Sequence, residues 1–456
     1  MNGSPEQVSA DTADKLGVTS YLAIFAIAIG FVLNPFNGSL VVTAYPHLAE
    51  TFALPYTHMS AMVMYFMAAT AASQPLAGGI GDSIGRKKLF LIGIAGFTAV
   101  SYLAATSVTF STLLFWRIAQ AIFSGVILAN ALGLVGQVVP AAKTGIYLGL
   151  LNSIMVAVTA LGFPLGGILV ELYEWPMLFW INIPLGVIAF ALAVLFIPGD
   201  EPRETRFTAV SFIGLPFLPL AFVLQAVIQG EPVFFSAMVL LVTTLVVAVG
   251  IFKSSQSRRQ FKPINNRVFN LSCSAAFFTS CIQFGVMFTL PAWTLATLSL
   301  NSGSLGLYLT GFSLTIFFIS PLAGKALDKI GEGPFKWLTL LALGASLALM
   351  ILAFTKISFV LVMGLLGIGI AISLLISQRS AMLAIPSQSH ALAMGLFSSW
   401  RAVGGLSGNT LAAIVLGGFP AVTAEAGVHV FEWQLALFFI PLALSLFYLR
   451  APNTVK

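Results

Sequence analysis

Charge is scarce in this chain: only 8% of its 456 residues are Asp, Glu, Lys or Arg, against 58% hydrophobic and 12% aromatic. A soluble domain cannot bury or expose that much apolar surface, and the mean hydropathy of +0.99 excludes one. Cysteine is scarcer still. Cys273 and Cys281 are the whole supply, and eight residues along one helix set them about 12 Å apart, beyond the reach of a disulfide. The four histidines, His47, His58, His390 and His429, fall in loops or at the ends of apolar runs without ligand spacing, so no metal centre is expected. Nucleophile elbows and phosphate loops are lacking too. Gly79, Gly81 and Gly85 are spaced one residue too long for a dinucleotide fingerprint and follow no strand. Neither a cofactor nor an enzymatic activity is expected.

What the chain has instead is apolar runs, each of the roughly 20 residues a bilayer requires. Fourteen are read, at 21–44, 59–80, 89–105, 111–138, 144–172, 178–197, 208–228, 234–252, 271–295, 304–323, 338–354, 359–376, 392–416 and 434–449. All but three of the 21 Lys and Arg residues fall on one side of this arrangement; Lys356 lies on the other, and Arg117 and Arg401 lie within runs. That asymmetry marks the basic side as cytoplasmic and explains the net charge of +6 without nucleic acid. Residues 1–17, with Glu6, Asp11 and Asp14, are polar and acidic and read as a cytoplasmic tail rather than a cleaved signal. The expectation is a multi-pass protein of the cell (inner) membrane with both termini inside.

The sequence repeats itself. PLAGGIGDSIGRKK from Pro75 returns as PLAGKALDKIGEG from Pro321, an offset of 246, and the offset holds for Pro140 and Pro386 and for GLLNSIMVAVTALG from Gly149 against GLFSSWRAVGGLSG from Gly395. YEWPMLFWINIPL from Tyr173 pairs with FEWQLALFFIPL from Phe431 at about 258. Persistence of one offset indicates duplication. The reading is an all-α membrane protein of two pseudo-symmetric six-helix bundles, 20–198 and 270–456, separated by two inserted transmembrane helices and linkers at 199–269, after a tail at 1–19. Two such bundles create a seam at mid-membrane, and a seam that opens alternately to each side is the physical basis of secondary transport.

With those residues in view, PLAGGIGDSIGRKK resembles the loop motif G-x-x-x-D-x-x-G-R-K of the major facilitator superfamily. Gly78, Asp82, Gly85, Arg86 and Lys87 fill its fixed positions, and the second copy keeps Gly324, Asp328 and Gly331 but not the Arg-Lys pair. The fourteen-helix count, FNGSLVVTAYP at Phe36, KPINNRVF at Lys262 and WRAVGGLSG at Trp400 resemble the drug:proton antiporter branch. RIAQAIFSG is similar to that branch's R-x-x-Q-G, with Arg117 and Gln120 matching and Ala121 in place of glycine. GFPLGG resembles its G-P-x-x-G-G motif with the proline displaced to Pro164. The resemblance implies an alternating-access carrier of small amphipathic or lipid-like molecules, working as a monomer in the lipid bilayer, with efflux and proton coupling as the branch's habits.

The motif has a physical reading of its own. Gly78 and Asp82 share a helix face, and a glycine there admits a neighbouring helix. Asp82 is placed to cap a helix start near 387–390, with Asp328 as its mirror toward 141–144; such caps would form only in the state closed at that side. The alternative is a cluster that merely fixes topology. Arg117 and Arg401 are the ionisable groups at mid-depth, and such groups mark function by default. Arg117 either bonds helix 1, whose ladder Pro35 and Gly38 are expected to break, or acts on substrate or coupling. Asn37 stands where the branch has Asp, leaving no carboxylate at mid-depth for proton exchange. A cavity lined by Asn34, Asn37, Arg117, Gln120, Asn152, Gln283 and Arg401 favours anionic, zwitterionic or neutral cargo, so an uptake or lipid- or anion-flipping carrier without helix-1 proton coupling is the alternative. Gly162, Pro164, Gly166 and Gly167 are expected to bend or closely pack the fifth span.

Overall fold

The computed structural model describes residues 17–139, 144–199, 212–255, 266–298, 302–352, 356–385, 390–419 and 422–449. Among the described residues there is no strand, as expected where backbone N–H and C=O groups must be satisfied without water. The first half comprises α1 (Val18–Val42), the short α2 (Tyr45–Thr51), α3 (Ser60–Ile84), α4 (Arg86–Ala105), α5 (Phe110–Val138), α6 (Thr144–Tyr173), and the pair α7 (Met177–Trp180) and α8 (Asn182–Phe196). Next come α9 (Phe217–Gln229) and α10 (Phe234–Lys253). The second half holds α11 (Arg267–Leu298), α12 (Ser302–Ile330), α13 (Gly333–Leu352), α14 (Lys356–Leu383), α15 (His390–Gly417), α16 (Ala424–Gln434) and α17 (Ile440–Tyr448). Among the described residues 10 helical segments are long and apolar enough to cross a membrane, against the fourteen expected, and 157–173 and 217–229 are shorter apolar helices.

Two boundaries differ from the hydropathy reading. The last span begins at Ala424, ten residues before the apolar run, because polar groups extend it: the Thr423 hydroxyl caps Ala426 N–H at 3.2 Å, and His429 pairs with Glu432 at 2.9 Å on its exposed face. This span then passes through a π-helical turn at Leu435–Phe439. The second difference is in α1, which runs unbroken through Pro35 and Gly38. A proline removes one ladder donor, here the partner of the Phe31 carbonyl, and the helix continues past that single loss; the Ser39 hydroxyl adds bonds to the Pro35 and Phe36 carbonyls at 3.0 Å each.

The repeat is written into the backbone. Gly85, between α3 and α4, has φ 104°, and Gly331, between α12 and α13, has φ 82°. Both lie in the region where only glycine is unstrained, which is why the offset of 246 keeps glycine at this turn.

Packing differs between the ends of the bundle. One core cluster uses residues 23–197 alone, and a second uses the later half with Phe163. A third bridges the halves at the end bearing Tyr56, joining Tyr45, Met59 and Phe179 to Phe288, Leu416 and Val430. There the helices of the two halves touch closely: a Cβ on Gly306 would overlap the Phe163 carbonyl, and one on Gly405 would meet Phe284 at 2.9 Å and crowd Met67. Toward the Gly85 end, Gly78, Gly324 and Gly395 have nothing within 4 Å of a Cβ. The close helix approach expected at Gly78 is therefore absent in this conformation. Straight helices that cross at one end separate at the other.

Candidate functional site

Arg117 is the most deeply buried charge described, 2% exposed on α5. Its guanidinium donates from Nη1 to the Asn37 side-chain oxygen on α1 and, at 2.8 Å, to Gln120 Oε1 one turn along α5. Gln120 in turn donates to the Ser101 hydroxyl of α4 at 2.8 Å. The cation lies over the Phe66 ring of α3, 4.2 Å from its centroid, and 5.7 Å from that of Phe179. A buried charge with no carboxylate must be carried by dipoles and π faces, and four helices supply them. Its partner is thus the Asn37 amide rather than broken backbone of helix 1. Asn34, one turn earlier on α1, donates to the Ser124 hydroxyl of α5. The Asn37 amide nitrogen and Arg117 Nε are buried without a partner.

The predicted polar residues of the second half do not join this cluster by any described bond. Arg401 Nε, Gln283 Oε1 and Asn409 Oδ1 lack partners, while Asn409 Nδ2 reaches the Ser60 carbonyl of α3 at 3.4 Å. The Asn152 side chain lies outside the described residues, as do those of Asp82 and Asp328 and the helix starts at 387–389 and 141–143 that they were expected to cap.

Around the loop motif, Arg86 lies against α5, where any side chain at Gly133 would collide with its guanidinium; a Cβ on Gly81 would likewise strike the Asn130 side chain. Lys87 donates to the Val194 carbonyl at 3.0 Å and to that of Ile197, at the end of α8. Lys336 does the same for Leu449 at the end of α17 and pairs with Glu332 at 3.4 Å, while Ser380 donates to Glu332 at 3.1 Å. A lysine thus caps the last helix of each half, where orphan carbonyls carry partial negative charge. On α6, the predicted bend residue Pro164 sits in an unbroken helix. A Cβ on Gly162 would clash with Ser39 and one on Gly166 with the Leu40 carbonyl; both glycines let α6 lie against α1, and Gly167 is buried beside them.

The family model described as Major Facilitator Superfamily matches residues 27–262 and 272–455. The chain belongs to that superfamily. Among its relatives are an uncharacterized MFS-type transporter, YwoD, of Bacillus subtilis, 28% identical with 86% of this chain and 89% of the relative covered. The riboflavin transporter RibZ of Clostridioides difficile is 27% identical, covering 72% of this chain and 73% of RibZ. The multidrug resistance protein Stp of Mycobacterium tuberculosis is 26% identical, covering 89% and 78%. The fold matches a bacterial homologue of the human lysosomal transporter Spinster in an inward-facing, unoccupied conformation, with a TM-score of 0.65 over 95% of each chain at 12% identity. As a superfamily member the chain is a multi-pass membrane transporter.

Several residues that shape this transporter escape motif reading. Gly133, Ser101 and Phe66 carry no pattern of their own. Lys336 sits three positions past the strict repeat of Lys87 and so looks lost from the second copy. Gln434, fully buried with both amide atoms unpartnered beside Gly285, had one signal: an amide where the first copy has Pro176.

Proposed function

We propose that the chain exports an amphipathic organic molecule by alternating access, as a monomer in the cell membrane, with residues 20–198 and 270–456 rocking about the Arg117 cluster. The observation that carries this reading is the contrast between helices interlocked across the halves at the Tyr56 end and glycines facing open space toward the Gly85 end, with unpaired donors of Asn37 and Arg117 between. The Lys and Arg distribution supports the Gly85 end as the cytoplasmic one, both termini inside. In this conformation the open end then faces the cytoplasm. The cluster donates hydrogen bonds and carries positive charge, which suits anionic, zwitterionic or neutral cargo. Gly78, Asp82, Gly85 and Arg86, with Gly324, Asp328 and Gly331, form the latch that closes that end in the opposite state, and Gln283 and Arg401 supply the second wall.

Asn37 in place of a carboxylate favours a second reading, an uptake or lipid- or anion-flipping carrier whose cargo moves without protons exchanged on helix 1. Proteoliposomes holding a pH-sensitive dye separate the two. Substrate-driven proton movement supports proton-coupled export, and transport indifferent to an imposed pH gradient sinks it in favour of the second reading.

A further inference from the structure

A cavity of about 600 Å³ opens at the Tyr56 end, on the flank of the first half. Its walls are the start of α3, the turn leading into α5, and the last turns of the inserted helix α9, and they include Phe52, His58, Tyr65, Phe110, Ser111 and Gln225. It is separate from the Arg117 cluster: Phe66 packs on Arg117, whereas its neighbour Tyr65 turns to the cavity and stacks at 4.5 Å on Phe222 of α9. Asn37, Arg117 and Gln120 take no part in the lining.

The wall specifies its occupant. No Asp, Glu, Lys or Arg lines it, and the charge that acts on its Tyr65 wall is the Glu231 carboxylate, so an anion would be repelled. Gln225 is 2% exposed; its Oε1 lies 2.9 Å from the Ser60 hydroxyl, whose one proton it shares with the Thr57 carbonyl at 2.6 Å, and its amide nitrogen has no partner. An unpaired buried amide N–H costs about 1–3 kcal/mol, a cost that an acceptor on a bound molecule would remove. His58 Nδ1 is likewise unpartnered. Phe52, Tyr65 and Phe110 offer ring surfaces, and the volume lies in the range of pockets that hold small organic ligands. We infer that the inserted helix α9 completes a second binding site, peripheral to the central seam, for an uncharged, flat aromatic molecule bearing carbonyl oxygens.

The site adjoins the seal between the halves. Ser60, which holds Gln225, also accepts through its carbonyl from Asn409 of the second half at 3.4 Å. An occupant that orders Gln225 therefore favours the state sealed at the Tyr56 end.

The test uses the full-length protein in nanodiscs with Ser111→Cys as a maleimide reporter at the rim; Cys273 and Cys281 are buried and serve as the unlabelled background. Riboflavin is the probe, being uncharged at neutral pH, flat and rich in carbonyl groups. Riboflavin is expected to slow labelling of the reporter at least about threefold, and Gln225→Leu to raise the concentration needed about tenfold, the loss of one good hydrogen bond. Leu114→Trp, which fills the lining and leaves Gln225 intact, is expected to abolish protection and stands in if Gln225→Leu does not fold. The cation tetraphenylphosphonium is expected to give no protection. Absence of protection by riboflavin up to its solubility limit, equal protection by the cation, or protection unchanged in both variants would overturn the assignment.

Discussion

At the Tyr56 end, glycines on helices that meet across the two halves are pressed against their neighbours, Gly306 on Phe163 and Gly405 on Met67, whereas Gly78, Gly324 and Gly395 at the other end have nothing within 4 Å. The same residue type serves two purposes. Where helices cross, it permits the contact that seals the seam; where they part, it leaves room that the proposed opposite state would use. Tyr56 adds a clasp to the sealed end, its hydroxyl donating to the Phe288 carbonyl of α11 at 2.6 Å with the two rings 5.1 Å apart. Burial pushes the Tyr56 phenol well above its ordinary value, so the clasp keeps its proton at any physiological pH.

The comparison can be broken most severely at its centre. Arg117→Met leaves Asn37 and Gln120 buried without the donor they share, at about 1–3 kcal/mol for each unsatisfied group, and the expected outcome is a fall in melting temperature of several degrees with loss of transport. Arg117→Lys, which keeps the charge but not the fork that reaches both amides, should restore much of the melting temperature and little transport. Next in size is the contrast between ends. Gly306→Val, which drives a side chain into the Phe163 carbonyl, should open the Tyr56 end and cut transport at least about tenfold. Gly324→Val meets only open space here, so the melting temperature should stay within about 1–2 °C while transport falls, because the opposite closure is blocked. Differential scanning fluorimetry and uptake into proteoliposomes read both.

Smaller effects sharpen the contrast. Tyr56→Phe removes one hydrogen bond of about 1 kcal/mol, a shift of about fivefold toward opening of the Tyr56 end, readable as faster maleimide labelling of a cysteine placed there. Lys87→Met and Lys336→Met should each cost about 1 kcal/mol through loss of a charged cap on orphan carbonyls. Near-equal losses would show that Lys336 replaces Lys87 despite its displaced position; a loss at Lys87 alone would show that it does not.

Much of the architecture was legible in the sequence because a bilayer imposes it. Span length, the Lys and Arg asymmetry and the duplicated PLAG segment each follow from one local constraint, while the positive φ of Gly85 and Gly331 became visible only in the backbone. The polar cluster was half legible: Arg117, Asn37 and Gln120 stood out as polar groups in apolar runs, but their partnership depends on how α1 and α5 pack, which no spacing encodes. Ser101 and Phe66 were invisible for that reason. The unbroken α1 was misjudged because Pro35 removes only one ladder bond, too little to break a long helix. The early start of α16 was missed because hydropathy cannot see a capped polar turn.

The central claim is that the two ends open and close in opposition about the Arg117 cluster. Spin labels at Ile84 and Ile330, exposed and repeat-related at the Gly85 end, report one side; labels at Val108 and Glu425, exposed at the Tyr56 end, report the other. Double electron–electron resonance under turnover conditions should show the 84–330 distance shortening as the 108–425 distance lengthens, with Gly306→Val favouring the second arrangement. Distances that move together, or that stay fixed while transport proceeds, would contradict it.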